Sequence, residues 1–210
     1  MSLGRLAVGA ALIAGSVAVA TSVVPATSAS AAGPFEVSAW SPEFSGNVKP
    51  ALGAHIGDLS EVTAFLFNVR PDGSIAYTTP QAQALMPTLR TAAQNAGKPL
   101  IATIFDNMPE LGMAAVLADP AQRAAHVAAL TDFAVNFEGA GFGGLDLDYE
   151  TFAFDDPSSS WSATRASWGA FVTELGNALH DNGRTLQVSV PPVYDGGTTP
   201  KSGYLSLIHI

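Results

Sequence analysis

The sequence predicts an α/β protein built on a parallel β-sheet. Short apolar runs with strand-like composition alternate with longer runs of helical periodicity between residues 35 and 191. Such alternation implies right-handed crossover connections, which place successive strands side by side in the same direction. No Gly-x-Gly-x-x-Gly motif follows the first predicted strand, which disfavours a nucleotide-binding fold. A doubly wound sheet and a (β/α)8 barrel are both compatible with this pattern.

Five strands are predicted from runs rich in β-branched and aromatic residues. A turn at Pro71-Asp72-Gly73 closes the second of them. The fourth is an acidic segment and is the most informative part of the chain. In chain order, the predicted strands cover residues 35–40, 62–69, 99–105, 143–150 and 186–191.

Three helices are predicted from apolar residues that recur at helical spacing. The first covers residues 81–95 and stops at Gly97, because glycine readily adopts the left-handed conformation that ends a helix. The second begins at Asp119-Pro120, an N-cap acid followed by proline at the first helical position. The third ends at Asn182-Gly183, and its apolar face comprises Trp168, Phe171, Val172, Leu175 and Leu179.

The composition limits the classes of partner that the protein is expected to bind. The chain has 210 residues, a net charge of −9 and no cysteine, so an apolar core must stabilise it without disulfides. The acidic balance argues against nucleic acid and against anionic membrane surfaces as partners. We expect a monomeric, soluble protein that acts on a neutral polymer.

Residues 1–32 are predicted to be a secretory signal peptide. A basic start at Met1-Ser-Leu-Gly-Arg5 precedes an apolar run over residues 6–24, and small residues follow at 29–32. The apolar run is long for a signal peptide, so a retained membrane anchor is the alternative. With either outcome the globular part lies outside the cytosol; after cleavage we expect a secreted protein with no membrane contact.

Residues 143–150 read Gly-Gly-Leu-Asp-Leu-Asp-Tyr-Glu. Side chains on a strand alternate between its two faces, so Asp146, Asp148 and Glu150 share one face, while Tyr149 points away and packs against a helix. Three acids on one face repel one another and lose hydration when buried. The row therefore suggests a hard metal site or acid–base chemistry, and a solvated edge strand is disfavoured by the apolar flanks.

This segment resembles the family 18 glycoside hydrolases, the chitinase-like (β/α)8 barrels. Their pattern is Asp-Gly-x-Asp-x-Asp-x-Glu, which Gly144, Asp146, Asp148 and Glu150 match, with Gly143 in place of the first Asp. Residues 62–75, 113–130 and 189–192 are similar to the bacterial secreted branch related to spore-cortex glucosaminidases. The resemblance implies a barrel of which residues 33–204 supply about the first five strands.

The resemblance also implies a mechanism that needs no metal or other cofactor. Glu150 would be the general acid, and the acetamido group of the sugar would attack its own anomeric carbon. Asp148 would hold the acetamido group and stabilise the oxazolinium ion, while Asp146 would lie deeper and share a proton or charge with Asp148. The implied substrate is a polysaccharide containing N-acetylglucosamine, such as chitin, peptidoglycan or an N-glycan.

Four residues near the ends of predicted strands are candidates for sugar binding. They are Trp40, Asp106, Asn107 and Tyr194, although a turn, cap or packing role is an alternative for each. Phe67 is expected in the core. The histidines show no ligand spacing, and His126 and His180 are expected on helix surfaces.

The family barrel requires eight strands, and this chain predicts five. Residues 205–210 do not resemble the family continuation, and no sixth strand supplies the Tyr that the family places there. We therefore expect a truncated catalytic domain with an out-of-context tail, inactive by itself. A non-catalytic sugar-binding relative and a metal-binding domain are the remaining alternatives.

Overall fold

The computed structural model describes residues 36–190 of the chain. These residues form a five-stranded sheet in the spatial order β2-β1-β3-β4-β5. The short strand β2 pairs antiparallel with β1, and all other pairs are parallel. The strands are β1 (Val62–Val69), β2 (Ile75–Tyr77), β3 (Leu100–Asp106), β4 (Gly144–Asp148) and β5 (Thr185–Val188).

The predicted α/β class and parallel sheet are confirmed, with three local corrections. The described part of the predicted first strand, residues 36–40, forms only a single parallel bridge, between Trp40 and Thr63. The chain turns back after Pro71-Asp72-Gly73 to form β2, which the sequence analysis missed because three residues carry little periodicity. The acidic strand ends at Asp148 rather than at Glu150.

Helices connect the parallel strands and cover one face of the sheet. The predicted helices correspond to α2, α4 and α6, whereas three shorter helices were not predicted. Thr79 caps α2, and Asp119 caps α4 by accepting hydrogen bonds from the Ala121 and Gln122 amides. The helices are α1 (Val48–His55), α2 (Pro80–Ala96), α3 (Gly112–Ala118), α4 (Pro120–Asn136), α5 (Thr151–Phe154) and α6 (Trp161–Asp181).

The core lies between the sheet and these helices. Phe67 is fully buried, as expected, and its ring contacts Phe133, Phe137 and Phe142 at centroid distances of 5.0–5.6 Å. Tyr149 is also fully buried. The opposite face of β4 is polar, so the sheet separates an apolar, helix-covered side from a side that carries the acids.

Two glycines allow close approaches that set the position of β4. Gly141 has a φ of +60°, and a Cβ there would overlap the carbonyl oxygen of Val135 at the end of α4. At Gly144, a Cβ would overlap Thr185 of the neighbouring strand. Any side chain at either position would therefore push β4 away from α4 or from β5.

Several predictions fall on other parts of the chain. The signal peptide, Tyr194 and the tail at 205–210 lie outside the described residues. Within residues 36–190, no helix has both the length and the apolar character needed to cross a membrane.

Candidate active site

The acidic residues gather at the carboxyl end of β4. In the sheet register Asp146 lies beside Thr103 of β3, and Asp148 lies beside Phe105. Glu150 follows the strand and precedes the first residue of α5. This is the end of a parallel sheet where α/β proteins place their ligands.

Asp146 is buried and its carboxylate is held by three donors. Trp40 Nε1 and Thr103 Oγ1 each donate to Oδ2 at 2.9 Å, and Ser189 Oγ donates to Oδ1 at 2.8 Å. These donors come from the segment before β1, from β3 and from the segment after β5. Asp146 therefore links β4 to its neighbour β3, to the segment after β5 and to the segment before β1.

Asp148 is 9% exposed and accepts no hydrogen bond from another residue of the described range 36–190. Burial, together with the negative charges of Glu150, Asp146 and Asp106, raises the pKa of Asp148 to about 6. The carboxyl group of Asp148 therefore changes its protonation state in the mildly acidic range.

Glu150 faces an open cleft of about 380 Å³. The pKa of Glu150 is raised, first by burial and then by the charge of Asp106. A raised pKa retains the proton that a general acid must transfer. The cleft is lined by Phe65, Phe105, Asp106, Asp148, Glu150, Thr151, Phe154 and Asp155.

Asp106, a predicted sugar-binding residue, lines this cleft but its hydrogen bonds go to the protein. Its Oδ1 accepts the Glu150 amide at 2.9 Å and the Thr151 amide at 3.1 Å. Its Oδ2 is buried without a hydrogen-bond partner among the described residues. Burial raises the pKa of Asp106, while these two amide hydrogen bonds act in the opposite direction.

The other predicted sugar-binding residues are placed differently. Asn107 is exposed and is not among the residues that line the cleft; its backbone amide donates to the carbonyl of Val69. Trp40 is 51% exposed, although its indole N–H is bonded to Asp146. Trp40 also borders a separate apolar groove of about 560 Å³ formed with α1.

Three aromatic rings that the sequence analysis missed, those of Phe65, Phe105 and Phe154, line the cleft. Trp40 contacts Phe65 at a centroid distance of 5.1 Å, and Phe65 stacks with Phe105 at 5.8 Å. Phe154 is 50% exposed and lines the same cleft. The sequence signal for these three phenylalanines is weak, because they come from three separate segments, β1, β3 and α5.

His126 was expected on the surface, and this expectation is wrong. It is 7% exposed, and its Nε2 lies 2.9 Å from the hydroxyl of Tyr149. Tyr149 points away from the acids, as predicted, and its ring contacts Trp168 and Phe171 of α6. Burial lowers the pKa of His126 to about 4, so the imidazole is neutral at physiological pH.

Over residues 36–190, no group of three or more His, Asp and Glu side chains is arranged to hold a metal ion. Asp146 directs both of its oxygens to protein donors.

Solved structures share this fold, although no protein-family model matches the chain and no curated protein matches its sequence. A class V chitinase from Pseudomonas fluorescens superposes with a TM-score of 0.60 at 24% identity, over 76% of this chain and 45% of the chitinase. A chitinase from Chromobacterium violaceum gives 0.60 at 21% identity, over 75% and 46%. The Bacillus megaterium spore cortex-lytic enzyme SleL gives 0.60 at 13% identity, over 79% and 37%.

Residues 36–190 have the chitinase-like fold of these solved structures. The resemblance predicted from residues 143–150 is therefore confirmed at the level of the fold. The chain spans less than half the length of these neighbours. Over residues 36–190 the sheet is open, with β2 and β5 at its edges.

Proposed function

We propose that the protein is a secreted glycoside hydrolase that cleaves bonds of 2-acetamido sugars with retention of configuration. The observation that carries this proposal is the placement of Asp146, Asp148 and Glu150 at the carboxyl end of β4, with Glu150 facing an open cleft. The chitinase-like fold of the described residues supports it.

In the proposed first step, the Glu150 carboxylic acid donates its proton to the glycosidic oxygen. The acetamido carbonyl oxygen of the same sugar attacks the anomeric carbon, and the bond to the leaving sugar breaks. The product is a cyclic oxazolinium ion. In the second step, the Glu150 carboxylate removes a proton from water, which attacks the anomeric carbon and reopens the ring.

Asp148 is proposed to accept a hydrogen bond from the acetamido N–H and to balance the positive charge of the oxazolinium ion. Two observations support this role: it lines the cleft beside Glu150, and no other residue of the described range donates to it. Asp146 is proposed to modulate Asp148, since its negative charge opposes ionisation of Asp148.

The apolar rings and carboxyl groups of the cleft favour a neutral sugar polymer over an anionic ligand. Phe65, Phe105 and Phe154 line it together with four carboxyl groups, and no Lys or Arg is among these lining residues. Pyranose rings present apolar C–H faces, which stack on aromatic side chains. Two of the structural neighbours are chitinases, so we propose a polymer of N-acetylglucosamine as the substrate class.

The decisive experiment compares oligosaccharides with and without acetamido groups in the full-length protein. Glu150→Gln should reduce turnover of N-acetylglucosamine oligomers by about 10²–10⁴-fold, because it removes the transferable proton while keeping size and polarity. Glu36→Gln, at an exposed position outside the cleft, is the matched control. Glucose oligomers of the same length should not be cleaved.

Each alternative function gives a different result. Binding of the oligomers without turnover, in both the wild type and Glu150→Gln, would indicate a sugar-binding protein. Calorimetric binding of Ca²⁺ or Mg²⁺ that is lost in Asp148→Asn would indicate a metal-binding domain. Equal hydrolysis of acetylated and glucose oligomers would overturn the substrate-assisted mechanism.

Secretion is a separate part of the proposal and rests on residues 1–32. Signal peptidase reads small residues at two positions before the cut, so the mature chain should begin near Ala32 or Gly33. Intact-mass measurement of the secreted protein tests this. Recovery of residues 1–24 in the membrane fraction would instead indicate an anchor.

A further inference from the structure

Asp106 joins two neighbouring strands at the point where the catalytic acid is placed. It is the last residue of β3, and it is 5% exposed. Its Oδ1 accepts the amides of Glu150 and Thr151, and its backbone carbonyl accepts a hydrogen bond from Thr151 Oγ1 at 3.2 Å. These three contacts join residues that are 44 or 45 positions apart in the sequence.

The contacts satisfy backbone donors that have no partner within their own helix. The first amides of any helix lack intrahelical acceptors, and α5 begins at Thr151. The side chain of Glu150, the residue before α5, does not cap this helix. Asp106, at the end of the neighbouring strand β3, caps it instead. The main chain of Glu150 is thereby fixed relative to β3 as well as to β4.

We propose that Asp106 is a positioning residue that fixes the backbone of Glu150 and Thr151 and so holds the Glu150 carboxyl group at the cleft. This inference rests on the proposed role of Glu150 as the general acid. Asp106 acts through Glu150 rather than on the sugar, since its bonded oxygen is committed to the two amides and its other oxygen is buried.

The charge of Asp106 adds a second effect that a purely structural residue would not have. The titratable groups that line the cleft with Glu150 are Asp106, Asp148 and Asp155, and Asp146 lies deeper. Asp106 is the charged residue that raises the pKa of Glu150. Removing its charge should therefore shift the loss of the Glu150 proton to lower pH.

Two substitutions separate these effects. Asp106→Asn keeps an oxygen that accepts the two amides but removes the charge. Asp106→Leu keeps the branched shape of the side chain, although with a larger volume, and offers no acceptor. In the full-length protein we expect Asp106→Leu to lower kcat by about 10²-fold with little change in KM, because a small displacement of the general acid slows the chemical step.

Asp106→Asn should retain most of kcat at its optimum, while the alkaline limb of its kcat/KM profile moves to lower pH. Asp119 provides the matched controls, because it accepts two helix-start amides in the same manner and is not among the residues that line the cleft. Asp119→Asn and Asp119→Leu should leave both KM and the pH limb unchanged.

Amide hydrogen exchange tests the positioning role without any need for activity. The Glu150 and Thr151 amides should be protected in the wild type and in Asp106→Asn, and should lose protection in Asp106→Leu. Unchanged protection of both amides in Asp106→Leu would overturn the inference, as would equal kcat in the two variants. A wild-type protein without glycosidase activity would overturn the proposed function, while the exchange result would still report on Asp106.

Discussion

At the scale of single residues, Asp148 links stability to function. Its folded-state pKa, about 6, lies above the ordinary value of 3.8, so its contribution to stability is present below pH 3.8 and is lost as the pH rises through 6. Ionised Asp148 therefore destabilises the fold by about 2–3 kcal/mol at neutral pH. We expect Asp148→Asn to be more stable than the wild type at pH 8 and nearly equal to it at pH 3.5, while turnover falls.

Thermal or urea unfolding at these two pH values measures the effect. Asp155→Asn is the control, because it removes the same charge from an exposed position in the same cleft. A stabilisation of Asp148→Asn that does not depend on pH would show that packing rather than ionisation is responsible.

His126 has the opposite dependence on pH. Its folded-state pKa, about 4, lies below the ordinary 6.5, so its contribution to stability is present above pH 6.5 and is lost as the pH falls towards 4. His126→Gln keeps a hydrogen-bonding group near Tyr149 and does not titrate. Between pH 7 and 4.5 the variant should lose about 2 kcal/mol less of its free energy of unfolding than the wild type.

The control for this prediction is His180→Gln, because His180 is exposed on the neighbouring helix α6. Chemical unfolding monitored by fluorescence at pH 7 and pH 4.5 gives both free energies. Identical pH dependence in His126→Gln and the wild type would contradict the buried, neutral state of the imidazole.

At the scale of elements, the entry into β4 depends on a glycine. Gly139 and Gly141 both have positive φ, but only a Cβ at Gly141 meets other atoms within 4 Å. Gly139→Ala should therefore lower the free energy of unfolding by about 1–2 kcal/mol, through backbone strain alone. Gly141→Ala should cost more than that, because the new methyl group must also displace the end of α4. Equal losses in the free energy of unfolding would contradict the close approach.

Elements with strong local signals were predicted well. Helices α2, α4 and α6 each combine long apolar periodicity with a local start or stop signal, and local signals of this kind can be read from sequence. Shorter elements were missed. The three residues of β2 and the four of α5 are ordered by their neighbours, through pairing with β1 and through Asp106, so their own sequence carries little information.

In the candidate site, too, some features were predicted from the sequence and others were missed. Alternation within β4 correctly placed Asp146 and Asp148 on one face and Tyr149 on the other. The same rule fails in β1, where Phe65 lines the cleft and Phe67 lies in the core although they are two positions apart. The register of β1 against β3 shifts between these two residues, and such an irregularity reverses the alternation.

At the scale of the whole molecule, the cleft combines negative charge with aromatic rings. Four carboxyl groups and three phenylalanine rings line it, and the chain as a whole has a net charge of −9. A neutral sugar polymer can contact both kinds of group without an electrostatic penalty. A cationic polymer is attracted by the same field, while an anionic one is repelled.

This charge distribution predicts that binding and turnover select different oligosaccharides. Cationic glucosamine tetramers should bind more weakly as salt rises from about 20 to about 300 mM, by roughly tenfold, because salt screens the carboxylates. Neutral N-acetylglucosamine tetramers should bind with an affinity that barely changes over that range. Only the acetylated tetramers should be hydrolysed, since the acetamido oxygen is the proposed nucleophile.

Calorimetry with Glu150→Gln gives the affinities without turnover, and product analysis with the wild type gives the cleavage. The fully acetylated and fully deacetylated tetramers are matched in length and linkage, so they differ only in charge and in the acetamido group. Salt-independent binding of the cationic tetramer would show that the cleft carboxylates do not face the sugar. Hydrolysis of that tetramer at the acetylated rate would show that the acetamido group takes no part in the reaction, because glucosamine offers no carbonyl oxygen to attack the anomeric carbon.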